Sequence, residues 1–399
     1  MKRALPSVFA LVHGALPLFP SFVMLAGVSV PGVSVIPPNA AAVLLAAMVL
    51  AAIYAGVLLL QAPREAPPTL IPLLAWLGSA VLAALLGLDP LAGTLFVGVF
   101  GLGIVWHLSI LRFYRRPHVA SAIWWSYLAT GTLGSLVAIV MVLTHRPAAQ
   151  YTIGHGRAIG TFVLPGELAG YLIVFLPLAY AVATTTRRPA LRYVAWCGIG
   201  SGLLALVLSF SRTGWVGFAS VVAFYGLVTG RMRWRSAVAV VAVSVLAVLA
   251  VFNFHHNPSE NYTRLSIWRA AFSAIARFPL TGVGPLDFSR IYAHVRVPDG
   301  DAVAFHAHNA ILTIFAETGI IGVAAVVWTW WRFAQTLLQR LRAARPIHVQ
   351  LALAAAAGLF GTLVQGLIDT VSVVIFGLWL PTMALALVLA RDGLGEDLK

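Results

Sequence analysis

The chain has 399 residues, 60% of them hydrophobic and only 10% charged, with a mean hydropathy of +0.93. A soluble globular domain carries about a quarter charged residues, so this composition excludes one and indicates a polytopic membrane protein. The formal charge of +14, from 26 Lys and Arg against 12 Asp and Glu, would suggest nucleic acid in a soluble chain, so its distribution has to be read first.

A helix needs about 20 apolar residues to cross the hydrocarbon core, and about twelve such runs follow one another along the chain. They fall at 8–27, 40–61, 69–87, 91–111, 120–144, 161–184, 193–210, 214–229, 237–254, 309–331, 349–368 and 371–390. Met1-Lys2-Arg3 before the first run resembles a signal peptide. The run is too long and lacks a small-residue cleavage site, so it reads as an uncleaved first span.

With the N-terminus inside, the short loops holding Arg115 and Arg116, Arg187 and Arg188, Arg231, Arg233 and Arg235, and Arg340, Arg342 and Arg345 all fall on the cytoplasmic side. The basicity is therefore mostly topology and contact with anionic membrane lipid; nucleic acid is not an expected partner. Eight arginines oppose this bias: Arg146, Arg157, Arg212, Arg264, Arg269, Arg277, Arg290 and Arg296. They lie in only three places, the 145–160 loop, the turn at 211–213 and the long loop 255–308, which ends on His306 and His308. Loops this long without a function are uncommon.

The turn Ser209-Phe210-Ser211-Arg212-Thr213-Gly214-Trp215 leaves almost no loop between two apolar runs. An arginine so near hydrocarbon costs a few kcal/mol unless it snorkels or has an anionic partner, and its planar fork of donors suits phosphate oxygens. Both readings stay open, capping with snorkelling or a ligand phosphate. In the long loop, Leu265, Trp268, Phe272 and Ile275 repeat at helical spacing after Asn261 and Thr263, which predicts an amphipathic helix. Arg264 borders that stripe and Arg277 points away from it. If the stripe packs on the membrane domain, Arg264 is held where a ligand could be clamped; the alternative is a simple lid or interfacial helix.

Glu167 and Glu317 fall inside predicted spans. Intramembrane acids are functional hypotheses by default, yet pairing with buried polar groups is the commoner use. Glu317 lies nine residues beyond His308, about 13 Å deeper and on the opposite helix face, so it is not expected to orient that histidine.

Asp299-Gly300-Asp301 has the spacing of a divalent-metal D-x-D but sits in a stretch that reads better as a glycine-centred turn. His306 and His308, with His255-His256 at the far end of the loop, supply imidazoles, but residues two apart on a helix diverge by about 200° and no third ligand is evident. No metal site is expected. The lone Cys197 excludes an intramolecular disulfide, Asn261-Tyr262-Thr263 is only a weak sequon match, and no P-loop or dinucleotide fingerprint occurs.

His308-Asn309, nine residues, Gly319, two residues and Gly322 fit H-[NSQ]-x9-G-x-x-[GTY], and by this pattern the chain resembles the O-antigen ligase family. The stretches "GRAIGTFVLPGELAGYL" at 156–172, "SFSRTGW" at 209–215 and "TRLSIWRAAFSAIARFPLTGVGPLDF" at 263–288 are similar to other hallmark segments of the same superfamily. The resemblance covers residues 150–370, and the first 145 only by hydropathy.

The resemblance implies an all-α polytopic architecture of the GT-C-like glycosyltransferase kind, with about twelve transmembrane helices and one large periplasmic helical loop, 255–308, between the ninth and tenth. It implies a bacterial inner-membrane enzyme with both termini cytoplasmic. The enzyme would transfer a glycan from an undecaprenyl-diphosphate-linked O-antigen donor to a sugar hydroxyl of a lipid A core acceptor, on the periplasmic face and without metal or other cofactor. The family's essential histidine falls on His308, and its arginines on Arg212 and Arg264. Asp369, between the last two spans, is the candidate for a late acidic residue, and Arg157, His306 and Asn309 are further accessory candidates. The residues themselves suit this chemistry: a histidine serves as a base near neutral pH, and preorganised arginines stabilise a departing diphosphate. A one-step displacement would invert the anomeric centre.

Polymerases and protein O-oligosaccharyltransferases are similar over the same segments, although the short C-terminus "ARDGLGEDLK" leaves no room for an appended soluble domain. A transporter would place ionisable groups at midplane and show internal repeats. Here the arginines and histidines gather on one face, which favours an enzyme.

Overall fold

The computed structural model describes residues 67–369, apart from 114–116, 147, 163, 256–258, 297–303, 305 and 344–345, together with Ile53 and Gly56. The predicted spans 8–27 and 371–390, nearly all of 40–61, and the Asp299-Gly300-Asp301 turn lie outside the described residues. Among these residues there are twelve helices and no strand.

In chain order they are α1 (Leu70–Leu86), α2 (Pro90–Phe113), α3 (Pro117–Thr144), α4 (Ala148–Ile153), α5 (Pro165–Thr185), α6 (Pro189–Leu208), α7 (Arg212–Val228), α8 (Trp234–His255), α9 (Ser259–Arg277), α10 (Phe288–Val295), α11 (Ala310–Ala343) and α12 (Pro346–Gly366). Nine of the twelve predicted runs thus carry helices. Five of these helices are long and apolar enough to cross a membrane: 119–144 in α3, α5, α6, 310–339 in α11 and 349–366 in α12.

The elements start and stop where local chemistry requires. Pro165 and Pro189 open α5 and α6 at positions whose N–H needs no intrahelical partner. The break between α6 and α7 takes three residues: Phe210 turns left-handed (φ 45°), the Ser209 hydroxyl accepts the Ser211 N–H at 3.2 Å, and Ser211 caps α7 by accepting from Gly214 N at 3.2 Å. Trp215 then donates its indole N–H back to the Leu206 carbonyl at 2.9 Å, locking the corner.

α5 is the central helix, the most buried of the five long apolar helices. It packs on α6 and α12, while α3 packs on α6 and α7 on α12. Small residues permit this closeness, as they do where apolar burial gives helices no net drive to associate. The Phe175 ring of α5 occupies the space a Cβ would need at Gly131 (2.2 Å) and at Gly198 (2.9 Å). Between α7 and α12, a Cβ on Gly217 would lie 3.1 Å from the Gly361 carbonyl and one on Gly361 would lie 2.9 Å from the Gly217 carbonyl.

A second cluster joins α9, α10 and the start of α11 through Ile267, Ala270, Ala271, Ala274, Phe288, Tyr292 and Ala316. The helix predicted over the long loop is present, but its buried face is turned away from the predicted stripe, of which Trp268 and Ile275 are partly buried. Leu265 and Phe272 are exposed at 55% and 59%, whereas Ile267, Ala270, Ala271 and Ala274 are buried, a rotation of roughly 130° about the axis. Alanines face inward because α9 approaches α11 and α10 closely; Leu265 and Phe272 are left outside, while Ile267 is buried and Ile275 packs against the cluster. Arg264 is half-buried and Arg277 exposed.

α11 is broken at Gly319 (φ 62°, ψ −168°). The stretch 279–284 docks on the break through backbone bonds: Ile320 N to Pro279 O (2.9 Å), Ile321 N to Leu280 O (3.4 Å), Val283 N to Ala316 O (2.9 Å) and Gly284 N to Glu317 O (3.1 Å). The same stretch meets the α1–α2 turn, where Leu88 N donates to Val283 O at 2.9 Å and Asp89 N to Asp287 Oδ2 at 2.7 Å. Arg290 pairs with Asp89 and, at 3.2 Å, with Asp287. Burial pushes the Asp287 carboxyl up, and the Asp89 N–H and the Arg290 charge offset part of that. Arg290, one of the eight arginines opposing the positive-inside bias, thus has a structural use.

Candidate active site

Several of the predicted residues come together where α11 begins and α12 ends. His308 precedes α11 in a left-handed conformation (φ 47°), rare for a residue with a Cβ and a marker of imposed geometry. Asn309 fixes it twice. Its Oδ1 accepts Leu312 N at 3.0 Å, capping α11, and its Nδ2 donates to the Leu367 carbonyl at 2.7 Å, tying α11 to the end of α12. Two residues further along α12's extension, Asp369 Oδ1 lies 3.3 Å from His308 Nδ1.

Burial would raise the Asp369 carboxyl, but the hydrogen bond from His308, with electrostatic help from the His308, Arg264 and His306 side chains, outweighs it and holds it below its usual value. An ionised carboxylate accepts only, so Nδ1 of His308 donates to it, and in the neutral ring this leaves Nε2 as the acceptor. His306 sits beside it, the two rings edge-on with centroids 4.3 Å apart. Burial and the neighbouring His308 and Arg264 push His306 down to about 4, against a smaller opposing effect of Asp369. Arg264 of α9 therefore acts electrostatically on both His306 and Asp369.

Arg212 reaches the same end of the molecule by a different route. Gly217 of α7 lies against Gly361 and Gln365 of α12, and Gly361 against Val221, so the two helices run antiparallel. The start of α7, with half-buried Arg212, is thereby level with the end of α12 that leads into Asp369. The 154–164 loop and the start of α5 that follows it join them: Ala158 N donates to Leu208 O at 2.9 Å and Gln365 Nε2 to Gly166 O of α5 at 3.0 Å. Arg157 lies in this loop, its Nε donating to Gly154 O at 3.2 Å.

Glu317 is placed elsewhere. Its carboxyl group accepts from the backbone N–H groups of Leu286 and Phe288, so it organises the start of α10 and not His308. Glu167 stands in the first turn of α5, where a helix N-terminus favours a carboxylate. Sequence reasoning did not anticipate Thr313, whose hydroxyl accepts Ala307 N at 3.2 Å and anchors the approach to His308, nor Gln365. The docking of Thr281-Gly282-Val283-Gly284 was missed as well, although its paired glycines were a visible signal. Among the described residues no three His, Cys, Asp or Glu side chains are grouped to hold a metal ion.

No curated protein matches the chain in sequence. Residues 197–327, about a third of the chain, match the model of a family described as O-antigen ligase. The matched segment holds Arg212, Arg264, His306, His308 and Asn309; Arg157 and Asp369 lie outside it. Over that segment the chain is similar to glycan-transferring membrane enzymes, and the match supports the superfamily of O-antigen ligases and polymerases.

Proposed function

We propose that the protein is an O-antigen ligase of the bacterial inner membrane. In this reading segment 255–308 faces the periplasm, the donor is a glycan on undecaprenyl diphosphate and the acceptor is a sugar hydroxyl of the lipid A core. The observation that carries the reading is the His308–Asp369 pair, 3.3 Å apart, with Arg264 acting on the same group of residues and Arg212 at the same end of the bundle.

In the reaction the acceptor hydroxyl donates its proton to His308 Nε2 as its oxygen forms a bond to the anomeric carbon. The bond from that carbon to the diphosphate oxygen breaks on the opposite side, inverting the centre. Asp369 holds the ring in the tautomer with Nε2 unprotonated and stabilises the imidazolium that forms, the service a buried carboxylate gives a catalytic histidine elsewhere. Arg212 and Arg264 bind the donor diphosphate and stabilise the charge that develops as it leaves. The lipid tail stays in the bilayer.

The test is reconstitution of the purified protein with undecaprenyl-diphosphate glycan, offered lipid A core or unextended glycan carrier, with and without EDTA. We expect product on the core, undiminished by EDTA and lost in His308→Ala. Chain growth on the carrier would make the protein a polymerase, and translocation of the glycan lipid without product would make it a transporter.

A further inference from the structure

His306 lies outside the chemistry just described, yet it is built into the backbone that carries it. Its Nδ1 accepts the backbone N–H of His308 at 3.2 Å. This is the bond by which an Asn or Asp side chain holds a turn two residues on, made here by an imidazole. The residue it holds is the one in the left-handed conformation, which is unfavourable for a side chain with a Cβ and persists only where the surroundings impose it. Ala304 and Ala307 on either side are buried, and Ala307 N is bonded to Thr313, so the short segment is fixed at both ends.

We propose that His306 is a positioning residue for the reaction, a neutral imidazole whose Nδ1 sets the backbone of His308 and so aims its ring at Asp369. The inference rests on the reading of His308 as the base. The bond requires Nδ1 of His306 to be unprotonated. The groups facing that ring are His308, Arg264 and Asp369: a positive charge on either of the first two opposes its protonation and the carboxylate favours it. Burial decides in favour of the neutral form, and the ring holds no extra proton at physiological pH.

Three substitutions in the full-length reconstituted protein separate this role from simple packing. His306→Ala loses the acceptor and should lower kcat by roughly tenfold or more with donor KM within about twofold, since ring aim matters in the transition state and not in binding. His306→Asn keeps an acceptor at turn-forming reach and should recover most of that loss. His306→Asp keeps the turn but sets a carboxylate beside His308, favouring its imidazolium, so the acid limb of the pH–rate profile should move up by about one unit relative to His306→Asn. Wild-type kcat in His306→Ala, or His306→Asn no better than His306→Ala, would overturn the proposal. Should His306→Ala not fold, the acid limbs of the Asn and Asp variants decide: coincident limbs overturn it. An active His306→Ala beside an inactive His308→Ala removes only the role of His306, whereas an active His308→Ala removes the base as well.

Discussion

Gly319→Ala tests the docking of the 279–284 segment on the broken helix. The residue sits at φ 62° and ψ −168°, a region that essentially only glycine occupies, and forcing a side chain there costs on the order of 1–3 kcal/mol. A Cβ at this position would also lie 2.2 Å from the Leu280 carbonyl oxygen and 2.6 Å from Thr281 N, both backbone atoms that cannot swing aside. Relief of the clash pushes the segment away and loses the bonds from Ile320 N to Pro279 O and from Ile321 N to Leu280 O, each worth about 0.5–1.5 kcal/mol net. Together these give a destabilisation of roughly 2–6 kcal/mol. Thermal unfolding in one fixed detergent measures it, with Gly78→Ala and Gly200→Ala as internal controls. A Cβ added at either of those glycines would meet nothing within 4 Å, and both stand inside helices, so alanine there should be neutral or stabilise by about 0.5–1 kcal/mol. If Gly319→Ala melts at the temperature of Gly78→Ala, the segment is not seated as described.

Three other outcomes follow from the same geometry. Asp369→Asn keeps the size of the side chain but removes the charge that fixes the His308 tautomer, and kcat should fall by about 10²-fold or more with the protein still folded; near-normal kcat would detach Asp369 from the reaction. Arg290→Ala should cost about 1 kcal/mol, held down by the 56% exposure of its side chain, because Asp287 loses its cationic partner but keeps the Asp89 N–H; an unchanged melting temperature would show the pair to be incidental. His306 is held near 4 in the folded chain against 6.5 unfolded, so between those values the unfolded state binds the extra proton and stability falls as pH falls. That loss is fully absent above about 6.5 and reaches up to about 3 kcal/mol toward pH 4, at 1.36 kcal/mol per unit. His306→Asn should therefore lose less melting temperature than wild type between about pH 7.5 and 5, and equal losses would refute the burial of that ring.

Much of the fold was legible because membrane crossing imposes a length and a composition that survive in the chain, and nine predicted runs carry helices. The face of α9 was not. Bulk as the sign of burial would turn Leu265 and Phe272 inward, whereas close helix approach selects the alanines at 270, 271 and 274. In a chain whose surroundings are themselves apolar, bulk does not mark the inside. The motif gave His308, Asn309, Gly319 and Gly322, but not why two glycines stand where they do. Gly319 is a position where another stretch of backbone enters the helix, and that partner lies some forty residues earlier in sequence, beyond the reach of any local pattern. Likewise Arg290 read as one of eight outer arginines awaiting an explanation, and only the approach of Asp89 shows that its charge is consumed within the protein.

Asn309 explains why the base is found at this point in the fold. Its side chain caps one helix and holds the end of another, so the same residue fixes where α11 starts and where the chain leaving α12 passes. His308 immediately precedes that junction and Asp369 closely follows it, which brings a pair 61 residues apart to within 3.3 Å without either side chain having to reach. Positioning by backbone in this way leaves little rotamer freedom to lose when substrate binds, and a base must be aligned to within about half an ångström to be effective. The consequence is that changes at Asn309 should act on the rate through both members of the pair at once. Asn309→Ala combined with Asp369→Asn should then cost scarcely more than either change alone, whereas independent roles would multiply the two losses.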